Sequence, residues 1–297
     1  MYLFRVHIRP QGGTADNKET FAYCLKEQLL GVGWRTESNK NTTVWEDYLS
    51  EATLIHDNLN VCKYIKKWVS KNDLVWTRDT EGNYYLAKVL SGWEYWVSDE
   101  AKEKDIDIAN IFRCEIIKVD IDDVPGKVVA CFRPTRTLQE IANLVALEYS
   151  KALWNKISKT NCYEIDKTKI SDVFSMLDDE ETEDLVFLYL QTQGWYVLPN
   201  SRKADTMSFE YLCINPKTGE VVGTQVKTGA ASINKDNYQA SSCRVFLFQP
   251  NNCYEGNNHN NIIVISRETI LEFIAQNKQW LPKVIRHKLE LCTVCRD

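Results

Sequence analysis

No stretch of the chain reaches the roughly 18 consecutive apolar residues that a membrane-crossing helix requires, so no such helix is expected. The N-terminus lacks the apolar block of a signal peptide; Met1-Tyr2-Leu3-Phe4-Arg5-Val6-His7-Ile8-Arg9-Pro10 alternates like a strand instead. Glycine and proline are few and scattered, 12 and 7 among 297 residues, which excludes collagen-like repeats and low-complexity disorder. An excess of positive charge is also missing. A net charge of −5 counts against nonspecific, whole-surface binding of nucleic acid. It leaves room for a local basic patch, because acid is concentrated in Asp178-Asp179-Glu180-Glu181-Thr182-Glu183-Asp184. Paired metal-ligand motifs are lacking too. Cys292 and Cys295 form the single C-x-x-C, and no second pair completes a zinc site. The cysteines are irregularly spaced, and most, among them Cys24, Cys114, Cys131 and Cys213, sit in apolar contexts and read as buried free thiols of a reducing compartment. These absences together predict a soluble cytoplasmic protein.

What is present suffices for two domains: 297 residues, 44% of them hydrophobic, can bury an ordinary core. Residues 21–30, 44–55 and 61–70 have helical spacing, while 73–78, 84–90, 93–97, 111–119 and 128–132 read as strands. Several short strands and few long helices predict a small, partly closed β-barrel decorated by helices. Residues 137–159 read as one long amphipathic helix, with Leu138, Ile141, Leu144, Val145 and Leu153 on a common side. The first domain is therefore expected over 1–159, followed by a polar, acid-rich linker at 160–180. The second, over 178–297, has another rhythm. A helix at 183–193 ends at Gly194, and strands at 195–199, 209–215, 220–227, 244–249 and 261–266 precede a helix at 269–277. Asn215-Pro216-Lys217-Thr218-Gly219 is a hairpin turn. The class expected is α+β, with the second domain an α/β sandwich around a mixed sheet.

The hairpin carries the chemistry. Glu210 stands early in one strand, and Gln225 and Lys227 stand two apart late in the next, so both side chains share a face and can meet Glu210 at one end. A carboxylate with carbonyl oxygens can hold Mg²⁺ or Mn²⁺, which polarises a phosphate and acidifies a water. The lysine can orient that water or stabilise the charged transition state. An acid and a lysine across a hairpin also arise as ordinary surface charges, so the surrounding pattern matters.

That pattern, over roughly residues 178–280, resembles the PD-(D/E)XK restriction-endonuclease superfamily, particularly its Mrr-like members. Glu183, Val186, Leu190, Gly194 and Trp195 match the family's leading helix, and Gln225-x-Lys227 looks like the Mrr-type variant of its acid-x-Lys. The resemblance implies a metal-dependent endodeoxyribonuclease with Glu210, Gln225, Lys227 and Glu183 at its active site. Two candidates stand for the first metal acid. The hairpin favours Glu210, while Ser201-Arg202-Lys203-Ala204-Asp205 fits the family's basic-then-Asp loop, with Asp205 as ligand and Arg202 and Lys203 toward nucleic acid. Metal ligands are thus expected among Glu210, Asp205 and Gln225.

Residues 1–135 are rich in aromatics, and Asn72-Asp73-Leu74-Val75-Trp76 followed by Gly82-Asn83-Tyr84-Tyr85-Leu86-Ala87-Lys88-Val89 is similar to barrel strands of PUA-like domains, including the EVE type. That resemblance implies reading of a modified or flipped base between aromatic rings, with Trp34, Trp76 and Trp93 as candidates and Arg35 on phosphate. Gly31-Val32-Gly33-Trp34-Arg35 is the best candidate turn, since its glycines bring backbone in close. The expected whole is a restriction-type nuclease sensing base modification or DNA structure; double-strand cleavage would favour a homodimer. A decayed nuclease fold that only binds DNA, and a PUA-like RNA-binding or regulatory protein, are the alternatives.

Overall fold

Leu3, Phe4, Arg5 and Val6 are buried at every position, so their backbone groups need partners along both edges of the strand they form. In the computed structural model, which describes residues 1–166, 173–202 and 209–291, they find them. The chain divides into two units, Met1–Asp166 and Lys167–Asp297, each mixing helices with a sheet. The first runs β1 (Leu3–Val6), α1 (Asn17–Lys26), β2 (Leu29–Val32), α2 (Trp45–Ile55), α3 (Asn60–Trp68), β3 (Leu74–Arg78), β4 (Tyr84–Val89) and β5 (Glu94–Tyr95). It continues through α4 (Asp99–Glu103), β6 (Asn110–Val119), α5 (Gly126–Cys131), β7 (Leu138–Glu140) and α6 (Leu144–Ser158).

Its strands make one curled, half-barrel sheet in the order β2-β6-β4-β3-β1-β7, with β5 also on β6. β6 pairs with β4 over Cys114–Val119 and with β2 over Asn110–Arg113, so one long strand serves two neighbours in turn. β1 lies parallel to β3, Leu3 opposite Leu74, and antiparallel to β7, Phe4 opposite Glu140. The main core joins Phe4, Val6, Val75, Ala87 and Phe112 to the inner sides of α1, α2 and α3. Arg5 is wholly buried within the sheet; its Nε donates to the Cys131 carbonyl at 2.7 Å, and its terminal nitrogens reach the carbonyls of Arg136 and Pro134 and the Gln139 side chain. Burial lowers its pKa to about 10, and those acceptors make the buried guanidinium tolerable.

Three expected elements differ. The helix expected over 21–30 stops at Lys26, because Gln28 takes a left-handed φ of 51° and Leu29 and Leu30 join the sheet. The strand expected over 128–132 is the helix α5, which Pro125 precedes as its N-cap, where proline's missing N–H leaves no intrahelical bond unmade. The single helix expected over 137–159 is a strand and a helix: β7 completes the open edge of β1, and Asn143 then caps α6 by accepting from the Ala146 N–H at 2.8 Å.

The second unit runs α7 (Val173–Met176), α8 (Asp179–Thr192), β8 (Tyr196–Val197), β9 (Tyr211–Ile214), β10 (Val221–Val226) and β11 (Ile233–Asn234). It then runs β12 (Arg244–Phe248), β13 (Tyr254–Glu255), β14 (Ile262–Val264), α9 (Arg267–Asn277) and α10 (Lys283–Leu291). Its mixed sheet has the order β14-β12-β10-β9-β8, with β9 antiparallel to β10 and β10, β12 and β14 mutually parallel. β11 and β13 form a separate two-stranded sheet. Part of the stretch expected as linker belongs here, since Val173, Phe174 and Leu177 are buried in this unit's core. Asp178 and Glu181 form a reciprocal capping box that starts α8 four residues before the expected Glu183. Buried Lys288 of α10 donates to Glu181, tying that cap to the last helix.

Candidate functional site

The β9–β10 hairpin sets one end of the mixed sheet. Its turn closes through Gly219, at φ +72°, and the ladder continues past β9 as the Glu210 N–H donates to the Thr224 carbonyl at 2.9 Å. On the other side the Lys227 N–H donates to the Phe248 carbonyl at 3.0 Å, so β10 and β12 hold the lysine's backbone. These contacts bring Glu210, Gln225 and Lys227 together. One carboxylate oxygen of Glu210, Oε1, accepts from Lys227 Nζ at 3.0 Å and from the Gln225 amide Nε2. Glu210 and Lys227 side chains are 18% and 45% exposed, while Gln225 is buried. Behind them Phe209 packs on Gly223, where an added Cβ would lie 2.6 Å from the ring. Phe209 also stacks on Tyr238, with centroids 5.8 Å apart; burial, and then the charge of Glu210, push the Tyr238 phenol up.

Helix α8 brings further acid to the same place. The Tyr211 hydroxyl reaches the Glu183 carbonyl at 3.4 Å, and the Thr228 hydroxyl donates to Asp179. Asp179, Glu183, Glu210, Val226, Lys227, Thr228 and Ala231 line a cleft of about 270 Å³. Three carboxylates against one ammonium make the cleft attractive to a cation. Among the described residues no three Asp, Glu, His or Cys side chains converge as a complete metal cage. Mg²⁺ commonly takes only one or two carboxylates and completes its octahedron with water and substrate phosphate, so Glu210 and a neighbouring acid fit it. Glu210 Oε2 takes no hydrogen bond among the described residues. Gln225, expected as a ligand, instead turns its amide nitrogen toward Glu210 and the Val226 carbonyl, and holds the carboxylate in place. Arg202 ends the 3-10 turn Pro199–Arg202 beside β9. Its side chain, and Lys203, Asp205, Cys292 and Cys295, lie outside the described residues.

The first unit holds a larger cavity, about 400 Å³, lined by Trp34 together with His7, Arg9, Gly12, Gly33, His56 and Asp107 among others. Trp34 has a left-handed φ of 63°, a conformation that costs a bulky residue and needs outside support. Support is abundant: Asn110 donates to the Gly33 carbonyl at 2.7 Å, Tyr48 to the Trp34 carbonyl at 3.2 Å, and His56 Nε2 to the Arg35 carbonyl at 2.8 Å. Asp107 fills the space left by two glycines. A Cβ at Gly33 would stand 2.2 Å, and one at Gly12 2.5 Å, from its Oδ2. Burial raises the Asp107 pKa, opposed by Arg35 and by the backbone N–H groups of Arg35 and Trp34. His7 is 4% exposed and pushed down to about 4, by burial first and then by Arg5 and Arg9, so it is neutral near pH 7. Its ring donates to the Pro134 carbonyl, while Nε2 has no hydrogen-bond partner.

The remaining expected reader residues serve otherwise. Arg35 is ion-paired with Asp105 and lies 3.6 Å from Asp107, so its guanidinium braces the turn rather than standing free for phosphate. Trp76 is completely buried, its Nε1 donating to Ser150 of α6 at 3.0 Å. Trp93 is likewise buried against Trp45 and Tyr48 and donates to Asn110. Both rings fill core space and present no face for stacking. His7, Asp107, Asp179 and Thr228 went unnoticed from sequence; the glycines around Trp34 were the one local signal of the cavity. No family model, curated protein or solved structure matches the chain.

Proposed function

We propose that the chain is a Mg²⁺-dependent DNA endonuclease of the restriction type, cutting in its second unit and reading DNA, modified bases included, in its first. The observation that carries this is the meeting of Glu210, Gln225 and Lys227 on one carboxylate oxygen at the rim of an acid-lined cleft. A surface ion pair of this exposure contributes only about 0–1 kcal/mol, so stability gives little reason to place a lysine there. Glu210 would hold the metal, with Glu183 or Asp179 beside it, and the bound ion would polarise the scissile phosphate and acidify a water. Gln225 orients Glu210. Lys227 lines the cleft and would balance the charge that develops on a phosphate oxygen bound there. Trp34, with the cavity beside it, supports the reading role, because an aromatic ring next to a pocket can stack an extruded base.

The test is plasmid cleavage with Mg²⁺, Mn²⁺ or EDTA, on DNA of differing base modification. Metal-dependent nicking that Glu210→Ala abolishes is the expected result. Cleavage unaffected by EDTA would end the proposal. Linear product should require two copies of the chain, one for each strand. One observation favours a second reading, a nuclease-like protein that binds DNA without cutting: Gln225 replaces an acid and offers Glu210 its nitrogen. DNA binding without cleavage in Mn²⁺ would establish that reading instead.

A further inference from the structure

Helix α3 carries a surface that neither site uses. Its inner side is spent in the core, where Cys62 and Ile65 are completely buried. Its outer side exposes Lys63, Lys66 and Lys67, with Lys71 just beyond, and the rings of Tyr64 and Trp68, 42% and 41% exposed. The two rings lie parallel, with centroids 4.4 Å apart and planes 1° from each other. No acidic residue occurs between Asn58 and Asn72. None of these four lysines forms an ion pair among the described residues, whereas Lys18, Lys26 and Lys104 each have a glutamate. Lys66 lies 5.8 Å over the buried Trp93 ring; Lys63, Lys67 and Lys71 are exposed.

Local energetics oppose this arrangement. Lys63 and Lys67 are like charges at i, i+4, which destabilises a helix, and they sit beside two large rings left partly exposed. Lys66 and Lys67 suit the negative end of the helix dipole, but Lys63 and the paired aromatics gain nothing from it. A chain of net charge −5 that keeps an unpaired cationic strip next to a flat aromatic platform fits a polyanion with exposed ring faces. We propose that this face of α3 binds single-stranded DNA, with the lysines on successive phosphates and an unpaired base stacked on the Tyr64–Trp68 pair. Duplex DNA keeps its bases stacked inside and would leave the platform unused. An anionic membrane would attract the lysines too, but sinking a helix into lipid takes a continuous apolar face, and the aliphatic side chains of α3 point into the core. The choice of DNA rests on the endonuclease reading; the chemistry of phosphates plus an unpaired base stands without it.

The experiment uses the full chain in EDTA, so that no cutting intervenes, with fluorescein-labelled oligo(dT) titrated at several salt concentrations. Lys63→Ala with Lys67→Ala should reduce the slope of log affinity against log salt by roughly 1.4, about 0.7 for each single-strand phosphate left without its lysine. Trp68→Ala should weaken binding about tenfold with the slope kept, and Trp68→Phe should restore most of the affinity, because stacking needs only a ring. Unchanged slope in the lysine pair together with unchanged affinity in Trp68→Ala overturns the proposal. So does equal loss of duplex binding, or loss confined to phosphatidylserine vesicles. Plasmid cleavage in Mg²⁺ by the same variants separates the two readings. Intact cleavage with unaltered oligo(dT) binding sinks only the α3 site, and the expected binding signature without cleavage sinks only the nuclease.

Discussion

Lys227 holds little of the fold and, on the proposed mechanism, much of the chemistry. Lys227→Ala should lower the melting temperature hardly at all, since a half-exposed pair is worth under about 1 kcal/mol. Cleavage should fall on the order of a hundredfold or more, the cost of removing a group that balances transition-state charge. Wild-type cutting by this variant would displace the active site from the hairpin. Trp34 and Arg35 should separate in the opposite sense. Trp34→Ala should weaken binding of the preferred modified DNA about tenfold through lost stacking. Arg35→Ala leaves buried Asp107 without its cation and should cost on the order of 2 kcal/mol in denaturant titration. Similar loss of stability in both variants, with selectivity intact, would make Trp34 a packing residue. His7 supplies a pH signature. Its folded pKa, about 4, is below the unfolded 6.5, so the unfolded chain binds more protons between those values and stability falls as pH drops through that window. The loss approaches roughly 3 kcal/mol at the acid end, and His7→Gln should flatten it in melts taken from pH 7 to 4.

At the scale of elements, the hairpin of β9 and β10 depends on one absent side chain. Gly223→Ala places a methyl against the Phe209 ring, which has Tyr238 behind it, and overpacking of this kind costs about 1–3 kcal/mol. Because Phe209 precedes Glu210, cleavage should fall by more than the lost stability explains. Equal losses in a combined melt and cleavage assay would show the carboxylate undisturbed. This hairpin was legible in the sequence because its information is local: Asn215 to Gly219 closes the turn, and residues two apart share a face. β7 was not legible, because Leu138–Glu140 is a strand only through pairing with β1, far earlier in the chain. Alone it continues the helical spacing of α6. Asp107 was hidden for the same reason, since nothing in its own neighbourhood announces the glycines it packs against. Trp76 and Trp93 misled, since composition reports aromatic rings without saying which way a curled sheet turns them.

At the scale of the molecule, the α+β class and the change of rhythm between halves were readable from periodicity, since each unit buries its own core. The junction was less so. Acid and polar residues suggested a linker over 160–180, yet Tyr163 donates to the Asn72 carbonyl at 3.0 Å in the first unit, and Val173, Phe174 and Leu177 pack in the second. The acid run at 178–184 caps α8 through Asp178 and lines the cleft through Asp179 and Glu183, while Lys63, Lys66 and Lys67 stand exposed on α3.

The position of β1 carries a consequence in time. It precedes both of its partners in the chain, so one edge waits for Leu74 and the other for Leu138, and the acceptors around Arg5 arrive only with Cys131 to Gln139. Until then a hydrophobic strand bearing a guanidinium has no interior to enter, and such late, long-range closure is slow. Expression of residues 1–135 should therefore yield aggregated chain, whereas 1–166 should be soluble and show a cooperative melt. A soluble, cooperatively folded 1–135 fragment would mean that the sheet closes without its last strand.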